Sequence, residues 1–191
     1  MKRLTQLVIF AITAFMLSGC AELAVVTVAG SGYLAYQDRR TIGTIIEDEN
    51  IEQKANYRLG MDEELYDSAH ISIVSFNNNV LVVGQAPTGK LKGKIDTILK
   101  KIPKIQRVYN EVRLSAPSSS LTRASDLWLT SKVKSNLYIA KYVKANRIKV
   151  ITENGEVFLM GIVTKNEGQK VTEIVRSIGG VQKVIEVFEF L

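Results

Sequence analysis

The hydrophobic pattern of this 191-residue chain changes period several times, and each change predicts an element. Residues 50–59, NIEQKANYRL, and 126–140, DLWLTSKVKSNLYIA, space their apolar side chains three and four apart, the signature of a helix with one buried stripe. Residues 71–76 and 79–84, ISIVSF and NVLVVG, are short β-branched runs separated by asparagines. IKVITE and EVFLMG repeat that arrangement at 148–153 and 156–161, with Asn154-Gly155 between them. Asn-Gly between apolar runs is a strong short-range hairpin signal, and asparagine also tolerates the positive φ such turns require. The helical period returns in TGKLKGKIDTILKKI and KNEGQKVTEIVRSI, halted by Pro103 and by Gly179-Gly180. IPKIQRVYNEVRL and IGGVQKVIEVFEF each end on one more strand pattern.

The two sets are copies of one unit. ISIVSFNNNVLVVG (71–84) aligns without gaps on IKVITENGEVFLMG (148–161), at an offset of 77 residues. Each copy reads α-β-β-α-β and is about 70 residues long, near the lower limit for a self-sufficient core. The expected fold class is α+β, two tandem modules, each with two helices packed on one face of a three-stranded mixed sheet. The boundaries are 47–114 and 123–191, with a Ser-rich linker at 115–122. Gly84 and Gly161 occupy equivalent places near the ends of central strands. They are read as structural glycines that make room for a packed helix rather than as ligand contacts.

The N-terminus follows different rules. Lys2 and Arg3 precede the apolar run LVIFAITAFML and the small residues Ser18 and Gly19, the build of an export signal spanning 1–19. The run is shorter than the roughly 20 apolar residues a membrane span needs. The only cysteine, Cys20, follows at once. An unpaired thiol in an oxidising compartment is a liability unless it is used. Residues 17–20, LSGC, resemble the lipobox of bacterial lipoproteins, which implies that Cys20 is acylated and becomes the first mature residue. Ala21 follows, not the aspartate that marks inner-membrane retention, which implies an outer-membrane anchor facing the periplasm. Residues 20–46 are read as the lipidated tether.

The α-β-β-α-β unit with strands ending VLVVG and VFLMG, together with VYNEVR and TENGEVFLMG, resembles the BON domain. A lipobox followed by two such modules is similar to the dual-BON lipoproteins of the bacterial envelope. The resemblance implies phospholipid binding and a role in envelope integrity. It implies no enzymatic activity and no cofactor beyond the covalent lipid on Cys20. Composition agrees in excluding zinc sites and thiol nucleophiles, since His70 is the one histidine and stands at the start of a strand. The adjacent Glu63 and Glu64 cannot flank a substrate as a working pair. No metal and no nucleic acid are expected as partners.

Charge then separates the copies. The formal net charge is +6, or +4 once Lys2 and Arg3 leave with the signal. Residues 47–114 hold ten basic and ten acidic side chains, whereas 115–191 hold eleven and seven. Between Arg123 and Lys149 there are seven basic residues and one acid, Asp126, read as lying near a helix N-terminus beside a Ser125 cap. At about 100° per residue, Leu129, Val133 and Leu137 form the core stripe, and Trp128 falls far from it with Ser131, Lys132, Ser135 and Ile139. The one tryptophan is therefore expected at the surface, although a place between the modules is the competing location. Exposed indole among lysines suits a membrane interface. The expected site for an anionic phospholipid membrane is Trp128, Ser131, Lys132, Lys134, Ser135 and Ile139. In the first copy Ile51 is read as standing near the place of the tryptophan, after Glu47-Asp48-Glu49, so that module is expected to bind anionic lipid poorly and to brace the second or face a protein. The alternative function is a periplasmic scaffold that uses Trp128 and the basic face to hold an envelope protein.

Overall fold

The computed structural model describes residues 38–191. The signal, Cys20 and most of the tether lie outside the described residues.

Module one runs α1 (Ile42–Gly60), α2 (Glu63–Ser68), β1 (His70–Phe76), β2 (Asn79–Ala86), α3 (Gly89–Leu99), β3 (Arg107–Asn110) and β4 (Arg113–Leu114). Module two runs α4 (Ser120–Ile139), a 3-10 turn (Ala145–Arg147), β5 (Lys149–Glu153), β6 (Glu156–Val163), α5 (Lys165–Arg176) and β7 (Lys183–Phe190). In each module the hairpin is antiparallel and the last strand pairs in parallel with its second strand, giving β1-β2-β3 and β5-β6-β7. The sheet is mixed because the helix between the second and third strands must carry the chain back. Module one interrupts its last strand at Glu111-Val112, so β3 and β4 pair separately with β2, while β7 runs unbroken for eight residues.

The two long helices of each module cover one face of its sheet, and in module one the short α2, absent from the expected α-β-β-α-β order, adds Leu65 to that core. Ile51, Ala55 and Leu59 of α1 and Leu91, Ile95 and Leu99 of α3 bury against Ile73, Val80 and Val82. Leu129, Val133 and Leu137 of α4 pack in the same way with Val171 and Val175 of α5 over Val150, Val157 and Leu159. The alternate residues of the strands point the other way. Val74, Phe76, Leu81 and Val83 of module one meet Phe158, Met160 and Ile162 of module two in a third core. The two sheets thus pack face to face, with the helices outside. That is why β2 and β6 are apolar without alternation: both of their faces are buried. Polar contacts cross the same seam. Gln85 Nε2 donates to Glu153 Oε1 at 2.6 Å, and Asn77 Nδ2 donates to Glu189 Oε2 at 2.8 Å.

Several boundaries differ from the sequence reading. α1 begins at Ile42 behind the cap Thr41, so the end of the segment read as tether is helical. α4 begins at Ser120 behind Ser119, whose hydroxyl accepts from Thr122 N at 3.1 Å, so Ser125 is not the cap and the linker is shorter than 115–122. Asp126 lies in the second turn of α4 and is buried. Its carboxylate accepts from Asn154 N at 2.8 Å and Gly155 N at 2.9 Å, the two amides of the hairpin turn. Asp48 does the same in module one, accepting from Asn77 N and Asn78 N, each at 2.8 Å, from Ser75 Oγ at 2.7 Å, and from Arg40 Nη1 at 2.9 Å. All four turn residues have positive φ, as a two-residue hairpin requires.

The glycines are structural for a different reason from the one expected. A Cβ on Gly84, whose φ is +124°, would stand 2.0 Å from the carbonyl oxygen of His70. One on Gly161 would stand 2.7 Å from the carbonyl oxygen of Arg147. The close neighbour is the backbone leading into the adjacent strand, not a packed helix.

Candidate functional site

The site is the outer face of α4, and it arises because α4 is apolar on two opposite sides. Leu129, Val133 and Leu137 are spent on the core. On the far side lie Leu121, Leu127, Trp128, Tyr138 and Ile139, all exposed, with Trp128 at 60% and Ile139 at 78%. An exposed apolar stripe along a whole helix, bordered by charge, marks an interaction surface.

Each expected residue can be placed. Trp128 stands on the surface and does not fill the seam between the modules. Ser131 is exposed, but its hydroxyl donates to the carbonyl of Leu127 at 3.0 Å, leaving only acceptor capacity outward. Ser135 and Ile139 continue the tryptophan's row and are exposed. Lys132 is half-buried: its ammonium donates to the carbonyl of Gly179 at 2.8 Å and stands 4.9 Å above the Trp128 ring centroid. This cation–π contact holds the indole against the module. Lys134 is exposed and makes no ion pair among the described residues. About 120° around the helix from Trp128, it shares its row with Leu127 and Tyr138. The two lysines therefore flank the apolar stripe from opposite borders.

Sequence reasoning missed Leu127 and Tyr138, although the spacing of Leu127, Lys134 and Tyr138 by seven and four could have found them. It also missed Tyr142, just past the helix and 83% exposed. On its other side Trp128 walls a groove of about 680 Å³ shared with Arg113, Thr122, Ser125 and Gln182. The indole is thus bordered by a polar recess as well as by the apolar stripe.

Beside the tryptophan's place the matching face of α1 is polar, while Ile42, Ile46, Tyr57 and Met61 are exposed toward its two ends. The buried aspartates set the true register: Asp48 matches Asp126, Ile51 matches Leu129, Ala55 matches Val133 and Leu59 matches Leu137, every one of them buried. Ile51 is therefore core, contrary to the expectation that it stands in the tryptophan's place. Asn50 stands there, exposed, beside Glu49 and Gln53.

A second cluster lies where the chain enters module one. Arg39 reaches into module two, donating Nη1 to the Ile162 carbonyl and to Glu167 Oε2, both at 2.8 Å, and Nη2 to Glu167 Oε1 at 3.0 Å. Arg147 adds a longer contact to the same carboxylate. Burial works to raise the Glu167 pKa, but Arg39 and the amide and hydroxyl of Thr164 outweigh it and bring the group down to about 2. Among the described residues no group of three or more His, Cys, Asp or Glu is placed to hold a metal ion. No helix among them is long and apolar enough to cross a membrane.

Two copies of one module, each with a buried aspartate holding its hairpin turn, are the features by which the chain can be compared. The BON domain profile matches residues 47–116 and 125–191. The chain belongs to the BON domain family. Along nearly its whole length this dual-BON chain is similar to the outer membrane lipoprotein DolP of Haemophilus influenzae, 37% identical over 98% of this chain and 97% of that protein. It is also similar to a 21 kDa hemolysin of Actinobacillus pleuropneumoniae, 36% identical over 81% of this chain and 79% of that one. Among solved structures, the C-terminal domain of the type III secretion protein CdsD of Chlamydia trachomatis covers 75% of this chain and 67% of its own, at 18% identity and a TM-score of 0.31. The DolP-like arrangement of two BON domains is thus shared with a protein of the outer membrane.

Proposed function

We propose that this protein is an outer-membrane lipoprotein, anchored through acylated Cys20 on the periplasmic face, that binds anionic phospholipid through the outer face of α4 in its second BON domain and so supports the envelope barrier. The observation that carries the reading is the exposed stripe Leu127, Trp128, Tyr138 and Ile139 between Lys132 and Lys134. Indole and phenol rings are at home at headgroup depth, and each basic residue near an anionic surface adds about 1 kcal/mol before screening. The several acyl chains implied on Cys20 supply a lasting anchor, and the α4 contact adds recognition of the anionic surface. No enzymatic step and no metal or organic cofactor enters this function.

The test is sedimentation of the soluble form, starting just after Cys20, with vesicles of zwitterionic lipid alone or doped with phosphatidylglycerol. Binding is expected only to the doped vesicles, and it falls when Lys132 and Lys134 are both replaced by alanine. Equal binding of the double variant contradicts the proposal. Absence of binding to either vesicle turns the search to an acidic envelope protein held by the same face.

A further inference from the structure

The two modules finish their sheets differently. β7 closes the second sheet with eight residues paired in parallel to β6, and among the described residues no strand lies beyond it. One row of its backbone N–H and C=O groups is thus left without a strand, a ready template for pairing. The equivalent edge of module one is blunted. β3 and β4 are four and two residues long and are split at Glu111-Val112, and an interruption of that kind hinders the addition of a neighbour. Residues of β3 and β7 flank one cleft of about 410 Å³, which opens at the margin of the seam between the sheets. Phe76, Tyr109 and Val187 line it, and Arg107 and Glu189 bring opposite charges to it. On the helix side of β7, Phe188 and Phe190 stand edge to face with their centroids 6.2 Å apart, and Phe190 is half exposed. α4 lies at the opposite edge of this sheet, where Thr130 bonds Thr152 of β5 at 2.8 Å.

We propose that β7 is a docking edge for an extended segment of another polypeptide, which adds a fourth strand to the sheet of module two. Main-chain hydrogen bonds to the open edge supply the affinity, and the side chains on either face of the guest strand supply the selection. Those side chains alternate. On the seam side the guest meets Ile185, Val187 and the cleft, which suits apolar residues. On the helix side it meets Glu186, which is exposed and makes no ion pair among the described residues, and this suits lysine or arginine. The guest is therefore a strand with apolar residues on one face and basic residues on the other. A second copy of this chain does not fit. Antiparallel pairing of β7 with itself that sets Lys183 opposite Glu189 also sets Glu186 opposite Glu186, and like charges directly opposite destabilise a pair. The inference is independent of the lipid-binding reading of α4, since the two surfaces lie at opposite edges of the sheet.

The experiment uses the full mature lipoprotein in detergent micelles and an acetylated, amidated octapeptide in which valine and phenylalanine alternate with lysine and threonine. Adding the peptide should slow amide hydrogen exchange across β7 and leave β3 and β4 unchanged. Two further peptides carry N-methyl groups on one or the other alternate set of backbone nitrogens. An added strand turns only one set of N–H groups toward β7, so one methylated peptide should lose binding and the other keep it. Glu186→Lys, at an exposed position, should weaken binding about tenfold and leave the circular dichroism spectrum unchanged. Failure of the unmethylated peptide to bind overturns the proposal, as does equal behaviour of the two methylated ones or protection of β3 and β4 in place of β7. Slow exchange across β7 before any peptide is added, in a chain that sediments as a dimer, also overturns it and makes the occupant a second copy.

Discussion

α1 and α4 are the same helix used twice, and they differ on one side only. Their inner faces agree residue for residue, each with a buried aspartate on the hairpin turn and three apolar residues in the core. Their outer faces differ around the indole: Glu49, Asn50, Gln53 and Asn56 on α1 stand where α4 has Leu127, Trp128, Ser131 and Lys134, although α1 also exposes Ile42, Ile46 and Tyr57. Selection for the fold fixes the inside of a repeat and leaves the outside free. What sets α4 apart on that free side is an indole bordered by Lys132 and Lys134. The second helices differ in one respect too. α5 opens on a Thr164–Glu167 capping box gripped by Arg39, whereas α3, behind Thr88, has Leu91 at the corresponding position.

The inner half of the comparison breaks most severely at the glycines. Gly84→Val puts a side chain against a backbone oxygen at a φ that L residues rarely adopt. It should cost about 4 kcal/mol or more. Gly161→Val meets only the clash and should cost less. Urea midpoints order the two, and equal midpoints would show that the backbone conformation at Gly84 contributes nothing. The aspartates come next. Asp48→Ala strands two turn amides and Ser75 and should cost about 3 kcal/mol, against about 2 for Asp126→Ala.

How far these features were legible beforehand follows the same division. The repeat, the hairpins and the core stripes can be read from periodicity, because burial on one face writes a period into the chain. The continuous runs VLVV and VFLM carry the mark of a second covered face, which the expectation of helices on one face alone passed over. The partner of that face, the other module's sheet, is set by folding and leaves no local mark. Nothing local marks Asp48 and Asp126 as buried, because the turn amides they hold lie 29 or so residues away along the chain. Since they set the register, Ile51 was matched to Trp128 in place of Asn50. The hairpins align at an offset of 77 and the helices at 78, and a gap-free alignment hides that one residue. Tracing the helix outward from Trp128 alone likewise hid Leu127 and Tyr138.

The outer half can be exchanged. Giving α4 the outer residues of α1 with Leu127→Glu and Trp128→Asn should weaken binding to anionic vesicles by about 2 kcal/mol, roughly thirtyfold. Thermal stability should move by no more than about 0.5 kcal/mol, as for other surface changes. A large loss of stability would mean that the stripe serves the fold.

The smallest expected difference is in acid. Glu167 in the folded protein titrates near 2, below its ordinary value of 4.5. Its stabilising contribution is complete above pH 4.5 and is lost as pH falls toward 2. Arg39→Gln should raise the acid-unfolding midpoint slightly and leave stability above pH 5 almost as dependent on pH as before. Circular dichroism against pH reads this, and an unchanged midpoint would show that the clasp adds nothing to stability.

The most direct measurement of the central claim is the emission of Trp128 in the soluble form. Its exposure predicts red-shifted emission in buffer, a blue shift with phosphatidylglycerol vesicles, and no shift with zwitterionic ones. Emission already blue in buffer and unmoved by either vesicle would place the indole inside the protein and contradict the account of α4 as a helix with a free apolar face.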